Sequence, residues 1–259
     1  MTAPLTLVQI TDTHLLDHPD DLLRGCNPWR SLQGVLEQVA QHNPDGLLLT
    51  GDLADQGSAV AYGRLLKAVC EFDCPIYWLP GNHDNPSILQ QTFLAPRCHG
   101  PQAIDLGTWR LLLLNSVLPD AKFGEGYLAS DQLRWLHREL TQSADRPTAI
   151  ALHHHPVPTA IDWLDQIPVQ NGDDLLAVLE SFPQVHLVLF GHIHHALQYR
   201  WKNPRGESLE FLGCPSTCVQ VEPPVATPDH HLPGFRLIQL YDDGHYRTQV
   251  QRVQPARVA

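Results

Sequence analysis

Seven side chains in this sequence have the types and spacing to hold two metal ions: Asp12, His14, Asp52, Asn82, His153, His192 and His194. They stand in five short clusters: Asp12-Thr13-His14, Gly51-Asp52, Gly81-Asn82-His83-Asp84, His153-His154-His155 and Gly191-His192-Ile193-His194. Residues two apart on an extended segment point to the same side, so Asp12 with His14, and His192 with His194, are expected as paired donors. Carboxylate and imidazole suit borderline ions such as iron, manganese or zinc. Asp52 follows a glycine that lets the backbone approach closely, and its carboxylate there can bridge two ions. Asn82 offers a neutral carbonyl oxygen, and one imidazole of the 153–155 triplet, His153, completes the set. Two ions about 3.5–4 Å apart clamp a phosphoryl group and hold hydroxide for in-line attack on phosphorus. His83, beside Asn82, is placed to protonate the leaving alkoxide; Asp84 either orients His83 through its second ring nitrogen or serves only as a cap for the helix at Pro86.

Each cluster follows a short apolar run, at residues 7–10, 46–50, 75–79, 148–152 and 185–190. Runs of this kind, bounded by polar and turn residues, read as buried strands. The donors therefore sit at carboxyl ends of strands, where open α/β sheets bind their ligands. Between the strands, Asn27-Pro28, Ser58, Asn85-Pro86, Ser130-Asp131 and Asn171 open apolar-periodic stretches, the last running to 182. Asn and Ser are good caps and Pro is favoured at the first helical position. Strand and helix alternate up to about residue 200, which implies βαβ units. Residues 102–106 and 109–115 flank Gly107-Thr108 as a hairpin. After Gly191 the pattern predicts antiparallel strands at 197–202, 208–212, 235–241 and 246–253, joined through 203–206 and 242–244. The expected architecture is α/β, with two mixed sheets face to face and helices outside, in a single domain over residues 1–259. Segments 15–28 and 216–233 are candidates to cover the site, and the apolar run 211–221 is a candidate interface.

At 259 residues the chain suits one large domain, and its net charge of −11 argues against a nucleic-acid or membrane-surface partner. Sixteen histidines is a high count, and those outside the clusters, such as His42, His137 and His186, read as surface or locally bonded rings. Six cysteines lack zinc-knuckle spacing, and no run reaches the roughly 18 apolar residues of a membrane helix. With no signal-peptide pattern ahead of the first strand, the expected setting is the cytoplasm, with reduced thiols.

The order D-x-H, G-D, G-N-H-D, H, G-H-x-H resembles the calcineurin-like metallophosphoesterase superfamily, over Asp12 to His194. The resemblance implies a four-layer α-β-β-α sandwich. It assigns one ion to Asp12, His14, Asp52 and His194, and the other to Asp52, Asn82, His153 and His192. In the fourth cluster, alignment on Pro156-Val157-Pro158 selects His153, with His154 as the alternative. His83 matches the histidine that contacts the substrate phosphate, alongside His14, Asp52, Asn82, His153 and His194 around the substrate. The segments 10–15, 152–156 and 215–220 are similar to the bacterial class III 3′,5′-cyclic AMP phosphodiesterases. That similarity implies a small cyclic-nucleotide substrate, cyclic AMP opened to 5′-AMP, and two divalent ions, iron and manganese first and zinc next. Rival readings are a broader phosphodiesterase acting on glycerophosphodiesters or other cyclic nucleotides, a phosphomonoesterase, and a non-catalytic scaffold. A scaffold is expected to have lost ligands, and all seven are present.

Overall fold

A computed structural model describes residues 3–203, 205, 206 and 208–254. Pro204, within the expected 203–206 connection, and residues 255–259 lie outside the described residues.

In chain order the elements are β1 (Leu5–Ile10), α1 (Pro28–Ala40), β2 (Gly46–Thr50), α2 (Ala59–Val69), β3 (Ile76–Leu79), α3 (Pro86–Thr92), β4 (Cys98–His99), β5 (Ala103–Leu106) and β6 (Trp109–Leu113). Then come α4 (Ser130–Gln142), β7 (Thr148–Ala151), a 3₁₀ turn (Leu164–Gln166), α5 (Gly172–Leu179), β8 (Val185–Phe190), β9 (Leu197–Lys202), β10 (Ser208–Gly213), β11 (Gly234–Leu240) and β12 (Tyr246–Arg252). The strands form two six-stranded sheets, ordered β12-β11-β1-β2-β3-β4 and β5-β6-β7-β8-β10-β9. Both are mixed: β1, β2 and β3 run parallel, as do β6, β7 and β8, while hairpins β5–β6, β10–β9 and β11–β12 pair antiparallel.

The continuous apolar runs make sense once their side chains are sorted by parity. Successive strand residues face opposite sides, and here both sides are dry. Leu47 and Leu49 of β2 pack with Leu32, Val35 and Val39 of α1 and with Tyr62 and Leu65 of α2, whereas Leu48 faces the other sheet. Leu112 of β6 and Leu114 pack with Leu136 and Leu140 of α4, whereas Leu111 and Leu113 meet Leu48, Leu187 and Leu189 between the sheets. Three apolar cores separate four layers, α-β-β-α. Each fully buried Leu or Val contributes about 1.5–3 kcal/mol.

Three helix starts follow the expected chemistry. The side chains of Asn27, Ser58 and Asn85 accept from Arg30 N, Ala61 N, and Ser87 and Ile88 N, and Pro28 and Pro86 occupy the first turn. Two differ in detail. Ala129 precedes α4 with no side-chain cap, and Asn171 uses its amide on the backbone of Leu128 instead of on α5, tying the two loops together. Helix α5 ends at Leu179, short of 182, and Phe182 packs beneath it as core. The run 211–221 is no exposed interface: Phe211, Leu212, Cys214 and Cys218 are buried, because β10 inserts beside β8 in the second sheet.

Candidate metal centre

All five clusters do lie just beyond carboxyl ends of strands, after β1, β2, β3, β7 and β8. Asp12 N and His14 N donate to the carbonyls of Gly51 and Asp52, extending the β1–β2 pairing into the loops. The donors do not sit on extended backbone, as their i, i+2 spacing suggested. Asp12, His14, Asp52, His192 and His194 have φ of 52°, 44°, 51°, 67° and 54°. These are left-handed conformations, in which Asp and His are several-fold over-represented among non-glycine residues. Each pair still delivers both side chains to one side, through a tight turn. Glycine is required next to them: a Cβ on Gly51 would lie 2.5 Å from His153 Nδ1, and one on Gly191 would overlap the Thr11 hydroxyl.

Four imidazoles are pinned from outside. His14 Nδ1 bonds Asp55 Oδ1 at 3.1 Å, His153 Nδ1 bonds the Thr50 carbonyl at 2.8 Å, His192 Nε2 the Ile167 carbonyl at 3.1 Å, and His194 Nδ1 the Val219 carbonyl at 2.7 Å. Carbonyl and carboxylate oxygens can only accept, so the outer nitrogen carries a proton and the inner one is left for a cation, whether a metal ion or a second proton. His14 Nε2 and His194 Nε2 then face each other at 3.2 Å, with Asp12 Oδ1 3.3 Å from His194 Nε2 and Asp52 Oδ2 3.7 Å from His14 Nε2. Two lone pairs so close repel unless a cation lies between them. Asp12, His14, Asp52 and His194 thus form a donor set suited to one metal ion.

A second set adjoins it. His153 Nε2 lies 3.1 Å from Asn82 Oδ1 and 3.3 Å from Asp52 Oδ2, which puts Asp52 between the two groups. His153, His154 and His192 also form a compact cluster. Of the triplet, His153 is the ring that meets Asn82 and Asp52, whereas His154 Nδ1 bonds Ser116 Oγ at 2.8 Å. Electrostatics agree with a cation-seeking centre. Burial opposes charge on His153, yet Asp52 and Asp12 beside it carry its pKa up to about 9. Burial also disfavours charge on Asp52, but His153 and His14 hold its carboxyl well below the usual range.

His83 and Asp84 part company. The His83 ring is 43% exposed in the cavity, and its Nδ1 donates to the Asp55 carbonyl at 2.9 Å, leaving Nε2 available. Asp84 does not orient it. Its buried carboxylate accepts from Leu53 N (3.0 Å), Ala54 N (3.1 Å), Gly81 N (2.9 Å) and Tyr62 Oη (2.8 Å), clamping the Asp52 loop to the Asn82 loop. Burial and the nearby Asp52 push its pKa up to about 6 against those bonds. The carboxylate beside His83 belongs to Asp55, which sequence reasoning passed over; it groups with His14 and His83. The available signal was a second aspartate three residues after Asp52 in the same loop. Oxygens that hold a ligand histidine by its outer nitrogen tune metal binding, and their loss costs about 10–100-fold in affinity. Asp55→Ala is expected to fall in that range, read as metal retained against a graded chelator.

The cavity over the donors has a volume of about 240 Å³. Segments 15–28 and 216–233 reach it, as expected, through Leu23 and Arg24 and through Val219. Phe123, Trp163 and Ile167 come from loops that the sequence did not single out.

Residues 5–196 match the family model described as calcineurin-like phosphoesterase. Over 98% of its length the chain is 39% identical to the 3′,5′-cyclic adenosine monophosphate phosphodiesterase CpdA of Escherichia coli K12, covering 92% of that protein. It is 37% identical to the 3′,5′-cyclic-nucleotide phosphodiesterase alr5338 of Nostoc, with 96% and 93% of the two chains covered. Among solved structures, a dimetal phosphatase from Danio rerio superposes with a TM-score of 0.67 at 17% identity, covering 98% of each chain, a likeness of fold.

Proposed function

The chain belongs to the calcineurin-like phosphoesterase family, and on that premise we propose that it hydrolyses 3′,5′-cyclic AMP to 5′-AMP at the cluster described above. It is a metal-dependent phosphodiester hydrolase. The observation that carries the reading is the convergence of four outward-pinned imidazoles on two buried carboxylates and an amide.

In this reading Asp12, His14, Asp52 and His194 hold one divalent ion, and Asp52, Asn82, His153 and His192 hold the other. The mixed nitrogen and oxygen donors suit iron and manganese, with zinc also accommodated. Two such ions, when bound, supply hydroxide at neutral pH and neutralise charge growing on the phosphoryl oxygens. The chain's own residues do the rest. The Thr11 hydroxyl and His192 N–H donate to the Asp12 carboxylate, at 2.7 and 3.1 Å, and fix its oxygens. The His83 N–H, at 2.9 Å from Asp52 Oδ1, does the same for the shared carboxylate. With Nδ1 committed to the Asp55 carbonyl, His83 offers Nε2 to the substrate. As a hydroxide oxygen bonds to phosphorus, the O3′–phosphorus bond breaks and the proton held on His83 Nε2 passes to O3′, so that 5′-AMP departs. His14, Asp52, Asn82, His83, His153 and His194 surround the phosphoryl group. The protein works as a single domain in the cytoplasm; its six free cysteines suit a reducing compartment.

The name of the Nostoc relative favours a second, wider reading, in which other cyclic nucleotides are also opened. Turnover of iron- and manganese-loaded protein on cyclic AMP, cyclic GMP, a glycerophosphodiester and an aryl phosphate monoester separates the cases. We expect preference for cyclic AMP with 5′-AMP as sole product. Turnover of the glycerophosphodiester with none of cyclic AMP would remove the nucleotide assignment and leave the metal chemistry.

A further inference from the structure

Aromatic side chains in this protein are mostly interior. Trp109, Phe93, Phe190, Phe211 and Phe235 are all buried. Phe123, Tyr127 and Trp163 break the pattern, at 81%, 38% and 54% exposed, and of these Phe123 and Trp163 line the cavity over the metal donors. Neither belongs to one of the three apolar cores. An aromatic ring held in water beside a reaction centre has no packing to do; its use is a face for a flat ligand.

Both rings are also mounted on loops locked to the donors. Phe123 sits in a turn where the Glu125 carboxylate accepts from Lys122 N (3.0 Å) and Phe123 N (2.8 Å). Its neighbour Gly124 approaches the ligand loop so closely that a Cβ there would lie 3.0 Å from Asn82 Nδ2. Trp163 leads into the 3₁₀ turn ending one residue before Ile167, whose carbonyl pins His192. The Asp165 carboxylate braces that turn by accepting from Thr159 N and Thr159 Oγ1, both at 2.7 Å. The two loops are joined as well, by Gly126 N to the Pro168 carbonyl and Gln170 N to the Gly126 carbonyl. One ring is thereby referenced to Asn82 and the other to His192.

Resting on the cyclic-nucleotide reading, we infer that Phe123 and Trp163 are the nucleobase-binding walls of the site and set its preference for purine nucleotides over base-free phosphate esters. Stacking of a base on an aromatic face is sequence-tolerant and substantial, and its loss on removing the ring corresponds to roughly a tenfold change or more in affinity.

The test compares the metal-loaded full chain with Phe123→Leu, Trp163→Leu and Trp163→Phe. Dissociation constants for 5′-AMP and for ribose 5-phosphate, which lacks the base, are measured by calorimetry. The expected result is a parent preference for 5′-AMP that falls about tenfold or more in each leucine variant and survives in Trp163→Phe. A leucine side chain matches the apolarity but not the face, so this ordering isolates stacking. An unchanged 5′-AMP to ribose 5-phosphate ratio in both leucine variants overturns the inference, as does a parent without preference. Ring-dependent 5′-AMP binding without cyclic AMP turnover would keep this inference and remove the proposed reaction; turnover without ring dependence would do the reverse.

Discussion

His83→Ala is expected to lower kcat on cyclic AMP by about 10²–10⁴-fold while two metal ions per chain are retained. The range is that of a positioned general acid. Retention follows from geometry. The His83 ring is committed through Nδ1 to the Asp55 carbonyl, while the donors of the two metal groups meet one another without it. The alanine variant also keeps the backbone N–H that donates to Asp52 Oδ1, so the shared carboxylate stays oriented. Metal content by elemental analysis and steady-state rates on one preparation decide the matter. An ion lost with the ring would make His83 a ligand and overturn its role as acid.

Asp84→Ala, one residue along, is expected to act on stability. Its carboxylate is the common acceptor for three backbone N–H groups, on Leu53, Ala54 and Gly81, and for the Tyr62 hydroxyl, which in turn accepts from Asn85 N. Each buried donor left without a partner costs about 1–3 kcal/mol. Relaxation and water entry recover part of that, so the whole change should be about 3–5 kcal/mol, or roughly 10 °C in Tm for a chain of this size. Because Asp84 clamps the loop of Asp52 to the loop of Asn82, metal retention should fall with it. Calorimetric unfolding of parent and variant measures the effect. A variant with the parent's Tm but a large fall in kcat would restore an orienting role toward His83 and remove the structural one.

The contrast between these neighbours shows where the sequence was legible. The five clusters could be read because each follows a dense apolar strand, and two-sided burial makes such strands conspicuous. Asn27, Ser58 and Asn85 could be read as caps because capping is local. Adjacency misled at Asp84: its partners Leu53 and Ala54 are about thirty residues away, brought near by the parallel pairing of β2 and β3. Asp55 was hidden for the same reason, since its partners His14 and His83 come from two other loops. The parity of β10 was plain, but its place beside β8 depends on a tertiary choice of edge. Phe123 and Trp163 carry no periodicity, and a lone aromatic in a polar loop was the one signal they offered.

The five left-handed donors carry a consequence for redesign. Asp and His are among the few side chains that both ligate and tolerate φ of 44–67°. A donor exchanged for cysteine, or a carboxylate lengthened to glutamate, must satisfy that backbone in addition to the ion, at about 1–3 kcal/mol for each strained position. The preference for borderline metals over thiophilic ones proposed above would therefore be written in the turns as well as in the side chains. Retuning it toward a soft metal would begin by rebuilding the loops after β1, β2 and β8, with the donors exchanged afterwards.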